Sequence, residues 1–311
     1  MSKIATREAY GKYLAELGEK NPDIVVFDAD LSRATKTNIF AKAFPDRFFD
    51  AGIAECDMMG MAAGISTTGK IPFASTFALF GTGRAYEIIR NSICETGLNV
   101  KIVCSHAGLS VGEDGASHQA FEDVALMRGL PGMTVMVPAD GIETRAMMDA
   151  ALAIDGPVYI RTCRLATEEV LPEDYTFEVG KASCLKDGND VTIMAMGLMV
   201  EQALIAAEIL AADGISARVL NMGSVKPIDA AAIEQAAVET GCIVVAEEHS
   251  CYGGLTSAVS EVVCATKPVP VEHVAIEDSF GQSGKALDVL KGYGLTAEKI
   301  CEKAKAVIAR K

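Results

Sequence analysis

Val100-Lys101-Ile102-Val103-Cys104-Ser105-His106-Ala107-Gly108-Leu109-Ser110-Val111-Gly112-Glu113-Asp114-Gly115-Ala116-Ser117-His118-Gln119 changes character at its sixth residue. Val100–Cys104 is a short, mostly apolar, β-prone run, as expected of a strand covered on both faces in a parallel sheet. The loop that follows holds three glycines and two of the chain's four histidines within 13 residues. It leaves the carboxyl end of the strand, the edge at which open parallel sheets bind ligands. Glycines permit close approach of a ligand to the backbone, while the acids and imidazoles supply acceptors and donors. The competing reading is a long surface loop with incidental polar residues.

The same alternation extends outward along the chain. Strands are expected at Ile24–Phe27, Phe48–Asp50, Ile71–Ser75, Val100–Cys104, Met133–Val137 and Val158–Ile160. Helical patterns lie between them, near Arg7–Leu17, Glu55–Thr67, Arg84–Glu95, Phe121–Arg128 and Asp140–Ile154. A polar, acidic stretch, Ala166–Tyr175, interrupts the pattern, which restarts with strands at Val191–Ala195, Ala217–Leu220, Ile243–Ala246 and Val271–Ile276. Helices near Met199–Ala212, Ala230–Val238, Leu255–Cys264 and Ala297–Ala309 complete it. The fold class is therefore α/β, with two open, mainly parallel-sheet domains at 1–170 and 186–311 joined by a linker at 171–185. At about 150 residues per domain, 311 residues suit that division.

Composition narrows the functions. With 50% hydrophobic and 23% charged residues the chain can bury large cores. A balance of 28 basic against 42 acidic residues, net −14, disfavours nucleic acid and anionic lipid. No apolar run reaches the ~18 residues of a membrane span, and Met1–Glu8 lacks the apolar core of a signal peptide, so a cytoplasmic location is expected. Nine scattered cysteines without a Cys-x-x-Cys pair read as small buried hydrophobes, with no metal site assigned.

Three further segments could carry chemistry. Glu55, in Gly52-Ile53-Ala54-Glu55, stands where a strand enters an apolar helix: it either complements the helix dipole or points into a pocket and shares a proton with a ligand nitrogen. Phe77 and Phe80 follow a strand end and serve either the core or a stacking surface. Arg7, Arg161 and Arg164 could grip an anion. There is no Gly-x-Gly-x-x-Gly after the first strand and no Walker-type phosphate loop; Gly81-Thr82-Gly83 alone is a weak signal.

Taken in order, Asp28-Ala29-Asp30-Leu31, Gly52-Ile53-Ala54-Glu55-x-x-Met58, Ser75-Thr76-Phe77, the loop from His106 through Gly112-Glu113-Asp114-Gly115 to His118-Gln119, and Pro138-Ala139-Asp140 resemble the pyrimidine-binding domain of transketolases. Asn221-Met222-Gly223-Ser224-Val225-Lys226-Pro227-Ile228-Asp229 and Glu247-Glu248-His249-Ser250-x-x-Gly253-Gly254-Leu255 resemble the C-terminal domain of the same family. The resemblance spans nearly the whole chain, and the two-histidine loop is its most specific part. It implies thiamine diphosphate as cofactor and transfer of a two-carbon ketol unit between sugar phosphates.

By that resemblance Glu55 would bond the aminopyrimidine ring, Phe77 and Phe80 would hold it, Ile53 would lie beside it, and Asp30 would stand near the cofactor at a subunit contact. His106 and His118 would contact donor hydroxyls and phosphate and take part in catalysis; Asp114 would read the donor C2 hydroxyl; Arg7 and Arg164 would meet the phosphate end. The run Ser32-Arg33-Ala34-Thr35 departs from the family's pattern after Asp-Leu, and with it the phosphate contacts. The family holds its diphosphate through a metal ion, Mg2+ or Ca2+, on a Gly-Asp-Gly motif, and this sequence has none. The expectation is thus the C-terminal subunit of a split transketolase, completed by an N-terminal subunit in an α2β2 assembly with a homodimer contact. Rival readings are the β subunit of a 2-oxoacid dehydrogenase or a deoxyxylulose-phosphate synthase relative, and, in another class, a non-catalytic scaffold. His273 reads as structural and His249 as a packing or interface element.

Overall fold

The computed structural model describes residues 3–311; Met1 and Ser2, which open the N-terminal stretch considered above, lie outside them. A seven-stranded sheet runs in the order Ser224–Lys226, Thr134–Met136, Val158–Arg161, Lys101–Cys104, Ile71–Ser75, Ile24–Asp28, Phe48–Asp50. Its six strands from the first half pair in parallel, and Ser224–Lys226 joins antiparallel. A second sheet has the order Val271–Ile276, Ile243–Ser250, Val191–Ala195, Ala217–Asn221, Ser183–Lys186, parallel except for its last strand.

Helix spacing explains how the first sheet is covered. Thr6–Lys20 buries Tyr10, Leu14 and Leu17, one face at intervals of about a turn, against Phe40, Phe73, Met147 and Met148. On the other face Glu55–Ser66 buries Met58, Met59, Ala62 and Ala63 beside Ile89, Ile93 and Met127. That second core continues without a break into Met194, Leu220, Val225, Val245 and Leu255, so the two halves share apolar interior.

The structure corrects the sequence reading in three places. The helix expected at Arg84–Glu95 starts earlier, and two wide turns with π-type spacing, Leu79–Arg84 and Ile89–Cys94, flank Tyr86–Ile88. Ala166–Glu168, read as linker, is a strand that pairs antiparallel with Lys3–Ala5. Ser224–Lys226, read within the second half, hydrogen-bonds into the first half's sheet. The last two misses involve pairing with residues distant in sequence, which a local pattern does not contain. Pro138-Ala139-Asp140 proves to be a helix start: Asp140 Oδ1 accepts from Glu143 N (2.8 Å), while Oδ2 takes Val170 N and Leu171 N.

Parallel pairing aligns the carboxyl ends of Ile24–Asp28, Ile71–Ser75 and Lys101–Cys104 on one edge. The residues that follow them, Asp30, Phe77 and His106, leave the sheet there.

Candidate functional site

His106 begins the site. Its backbone holds φ 58°, left-handed for a non-glycine residue, and its side chain is buried. The ring stacks on Phe77, centroids 3.9 Å apart. Nδ1 lies 2.8 Å from Ser105 Oγ and Nε2 lies 3.0 Å from Arg7 Nη1. A guanidinium only donates, so Nε2 accepts and the ring proton sits on Nδ1. Burial, with the cations of Arg7 and Arg164 and with His118 and Lys36 nearby, pushes the His106 pKa down to about 3. The imidazole is neutral at physiological pH.

Around it, Phe80 lies 6.0 Å from Phe77 with nearly parallel rings, and His118 meets Phe80 edge-on at 5.3 Å and Phe77 at 6.3 Å. Arg164 places Nη1 3.6 Å from Asp114 Oδ2 and donates to Val111 O, which ties the acidic corner of the loop to the end of Val158–Arg161. Gly108, at φ 77°, backs onto the Glu248 carboxylate so closely that no Cβ could fit. Glu248 Oε1 in turn accepts from Ser110 N (2.5 Å), so the second half holds the loop from behind.

Glu55 lies at the start of its helix with its side chain 1% exposed, and Arg84 Nη1 donates to its Oε2 at 2.7 Å. Arg84 also lies over the Phe80 ring, 5.0 Å from its centroid, and so links Glu55 to the aromatic group. Oε1 takes no hydrogen bond from any described residue.

The structure thus brings together Arg7, Phe77, Phe80, His106, Asp114, His118 and Arg164, with Glu55 joined through Arg84. Asp30 and Ile53 stand apart from this group. Asp30 is exposed and donates its N–H to Asp50 Oδ1, which also takes Gly52 N; Ile53 is 77% exposed. Arg161 is no anion grip: it is buried against Asp123 (2.9 Å) and donates to Glu248 O. His249 is buried between the halves, its Nε2 accepting from Ala125 N, while His273 lies on a strand and pairs with Glu277.

Two cations escaped the sequence reading. Arg84 follows the Gly81-Thr82-Gly83 turn directly, and the only hint was that adjacency. Lys36 follows the divergent run Ser32–Thr35. Asp28 organises that run, accepting from Leu31 N, Thr35 Oγ1 and Thr37 Oγ1, and burial raises its pKa to about 6. A cleft of about 910 Å3 elsewhere, lined by Lys3, Gln202, Leu290 and Lys299 among others, has none of this aromatic and imidazole chemistry.

The family model of the transketolase pyrimidine binding domain matches residues 2–169, and that of the transketolase C-terminal domain matches 180–300. This chain belongs to the transketolase family. A protein named as a transketolase C-terminal section, from Methanocaldococcus jannaschii, is 49% identical over 300 residues, covering 96% of this chain and 94% of its own. A 6-deoxy-6-sulfo-D-fructose transketolase subunit from Clostridium sp. (strain MSTE9) is 43% identical, covering 98% and 95%. A solved split-gene transketolase, described as an inactive β4 tetramer, superposes with a TM-score of 0.92 at 54% identity over the whole of both chains.

Membership implies dependence on thiamine diphosphate, and the site fits one part of that cofactor. A buried carboxylate with one oxygen fixed by Arg84 and the other without a donor suits a ring nitrogen that carries or shares a proton. The half-buried face of Phe80 suits a flat heteroaromatic ring.

Proposed function

We propose that this chain is the C-terminal subunit of a two-subunit transketolase that moves a two-carbon ketol unit from a ketose phosphate to an aldose phosphate. The observation that carries the reading is Glu55: a buried carboxylate, anchored at one oxygen and open at the other, beside the Phe77, Phe80, His106 and His118 rings.

When bound, thiamine diphosphate supplies the nucleophilic carbon for the two-carbon unit. The protein's part is orientation and proton control. Glu55 Oε1 would hold a proton between itself and the aminopyrimidine ring, and Arg84 would keep the carboxylate from rotating away. Phe77 and Phe80 would contact the ring face. His106, neutral, and beside it His118 would hydrogen-bond sugar hydroxyls, with Asp114 accepting from the donor C2 hydroxyl. Arg7, Arg164 and Lys36 form a cationic side for the anionic end of the sugar. The sulfosugar named for the Clostridium relative also ends in an anion, so the terminal group could be phosphate or another strong acid.

The diphosphate and its Mg2+ or Ca2+ would be held by a partner N-terminal subunit, in an assembly with two copies of each and with the Asp30 and Ile53 loops at the contact. Support comes from relatives named as a section or a subunit, of whose lengths this chain covers 94% and 95%. A cytoplasmic location belongs to the same reading; no helix is long and apolar enough to cross a membrane among the described residues.

The test is Glu55→Gln in the reconstituted complex. Ketol transfer should fall by about 100-fold or more with assembly intact. Unchanged transfer would sink the catalytic reading and favour a scaffold; turnover with pyruvate but not with sugar phosphates would move the chain to the 2-oxoacid branch.

A further inference from the structure

Outside the histidine and aromatic group, Cys251, His273 and Glu277 bring a thiol, an imidazole and a carboxylate together, their ligand atoms all within 4.8 Å of one another. Cys251 follows the strand Ile243–Ser250 and donates its N–H to Ile276 O (3.0 Å); His273 sits in the neighbouring strand Val271–Ile276 opposite Val245, and Glu277 comes directly after it. Pairing shifts register between Ala246 and Ser250, an irregularity of the kind that bends a strand locally. The sheet therefore fixes the backbone under His273 and, through the Ile276 hydrogen bond, under Cys251, while the side chains of His273 and Glu277 are 31% and 70% exposed and reachable by an ion from solution.

The donor set selects the ion. A thiolate with an imidazole suits borderline-soft divalent metals and disfavours Ca2+ and Mg2+, which prefer all-oxygen shells. Bond lengths of about 2.0–2.3 Å around tetrahedral zinc put neighbouring ligand atoms ~3.2–3.8 Å apart. His273 Nε2 and Glu277 Oε1 are already 3.2 Å apart, and Cys251 Sγ needs a shift of at most ~1.6 Å, within the reach of a χ1 adjustment.

Glu277 also opens the segment 277–285, which lies over the two-histidine loop. Gln119 Nε2 donates to Gln282 O (3.0 Å), Gly112 faces Gly284 O, Gly115 abuts Ser283, and Phe280 packs against Phe121 at 6.3 Å. The start of this strap is the exposed Glu277, which among the described residues is hydrogen-bonded only within the trio and to Ser279.

We propose that Cys251, His273 and Glu277 form a zinc site that pins the strap 277–285 at its origin. The ion accepts electron pairs from the sulfur, Nε2 and a carboxylate oxygen, with solvent as the fourth ligand. The Cys251 thiol releases one proton to water as the Zn–S bond forms, and nothing is oxidised or reduced. The site lies outside the proposed thiamine chemistry and does not depend on it.

The test uses the full chain, chelator-stripped and reduced, titrated with Zn2+ by calorimetry and with Co2+ by absorbance. One equivalent should bind, with a thiolate-to-cobalt charge-transfer band. Cys251→Ser should remove the band, and both Cys251→Ser and His273→Gln should weaken zinc binding at least ~10-fold, while Cys264→Ser, at an exposed cysteine elsewhere, changes neither. His273→Gln keeps the site testable should the cysteine variant misfold. Failure to bind one equivalent, or wild-type binding by both variants, overturns the site. Hydrogen exchange across 277–285 should slow with zinc; unchanged exchange with zinc bound overturns the pinning.

Discussion

At the residue scale, His106 shows how a few neighbours decide protonation. Its pKa, about 3 in the folded chain, lies below the ~6.5 of an unfolded histidine. The unfolded chain therefore binds this proton first as pH falls. The contribution to stability is complete above pH ~6.5 and is lost as pH drops toward 3. Asp28, raised to about 6, and Glu248, raised to about 7, act in the opposite sense, since folding favours their protonated forms and that contribution is lost as pH rises to those values. Arg7→Ala removes one cation but leaves the burial, so the His106 pKa should rise from 3 yet stay below 6.5, as followed by NMR titration of the ring; no rise would contradict the contribution of Arg7. Lys36→Ala should raise KM for a phosphorylated donor about tenfold, ~1.4 kcal/mol, with kcat little changed; an unchanged KM removes Lys36 from the cationic side.

At the element scale, the loop after Lys101–Cys104 keeps its shape because the second half braces it. Gly108 combines a positive φ with contact against Glu248, so Gly108→Ala should cost about 1–3 kcal/mol from backbone strain alone and more from displacing Glu248. A thermal melt within a degree of the parent would contradict this. Asp123→Asn takes from the buried Arg161 guanidinium the carboxylate it hydrogen-bonds, leaving only Glu248 Oε2 at 3.9 Å, and should destabilise by about 3 kcal/mol in chemical denaturation. These elements also mark how far local sequence could be read. The strand, its glycine-rich loop and the two histidines were legible because apolar runs and glycines signal themselves over a few residues. The Arg7 contact to His106, 99 residues away, the Arg161–Asp123 pair and the Glu248 brace were not, because no short window contains both partners. Arg161 looked like an anion grip for that reason, and only burial reveals it as structural.

At the scale of the whole molecule, one apolar core runs through both halves and a strand of the second half completes the first half's sheet, so the loop's brace and its sheet belong to one folded body. The net charge of −14 opposes anionic sugars. Arg7, Lys36 and Arg164 counter it locally, since exposed charges farther than about 8–10 Å are screened at physiological salt. The residues assembled here suit the pyrimidine end of the cofactor and the sugar, and the proposal gives the diphosphate end to a partner subunit. The direct measurement is ketol transfer from a ketose phosphate, with thiamine diphosphate and Mg2+, by the purified chain alone and after addition of an N-terminal transketolase subunit. The chain alone should give no transfer and the mixture should turn over; full activity from the chain by itself would contradict the two-subunit account.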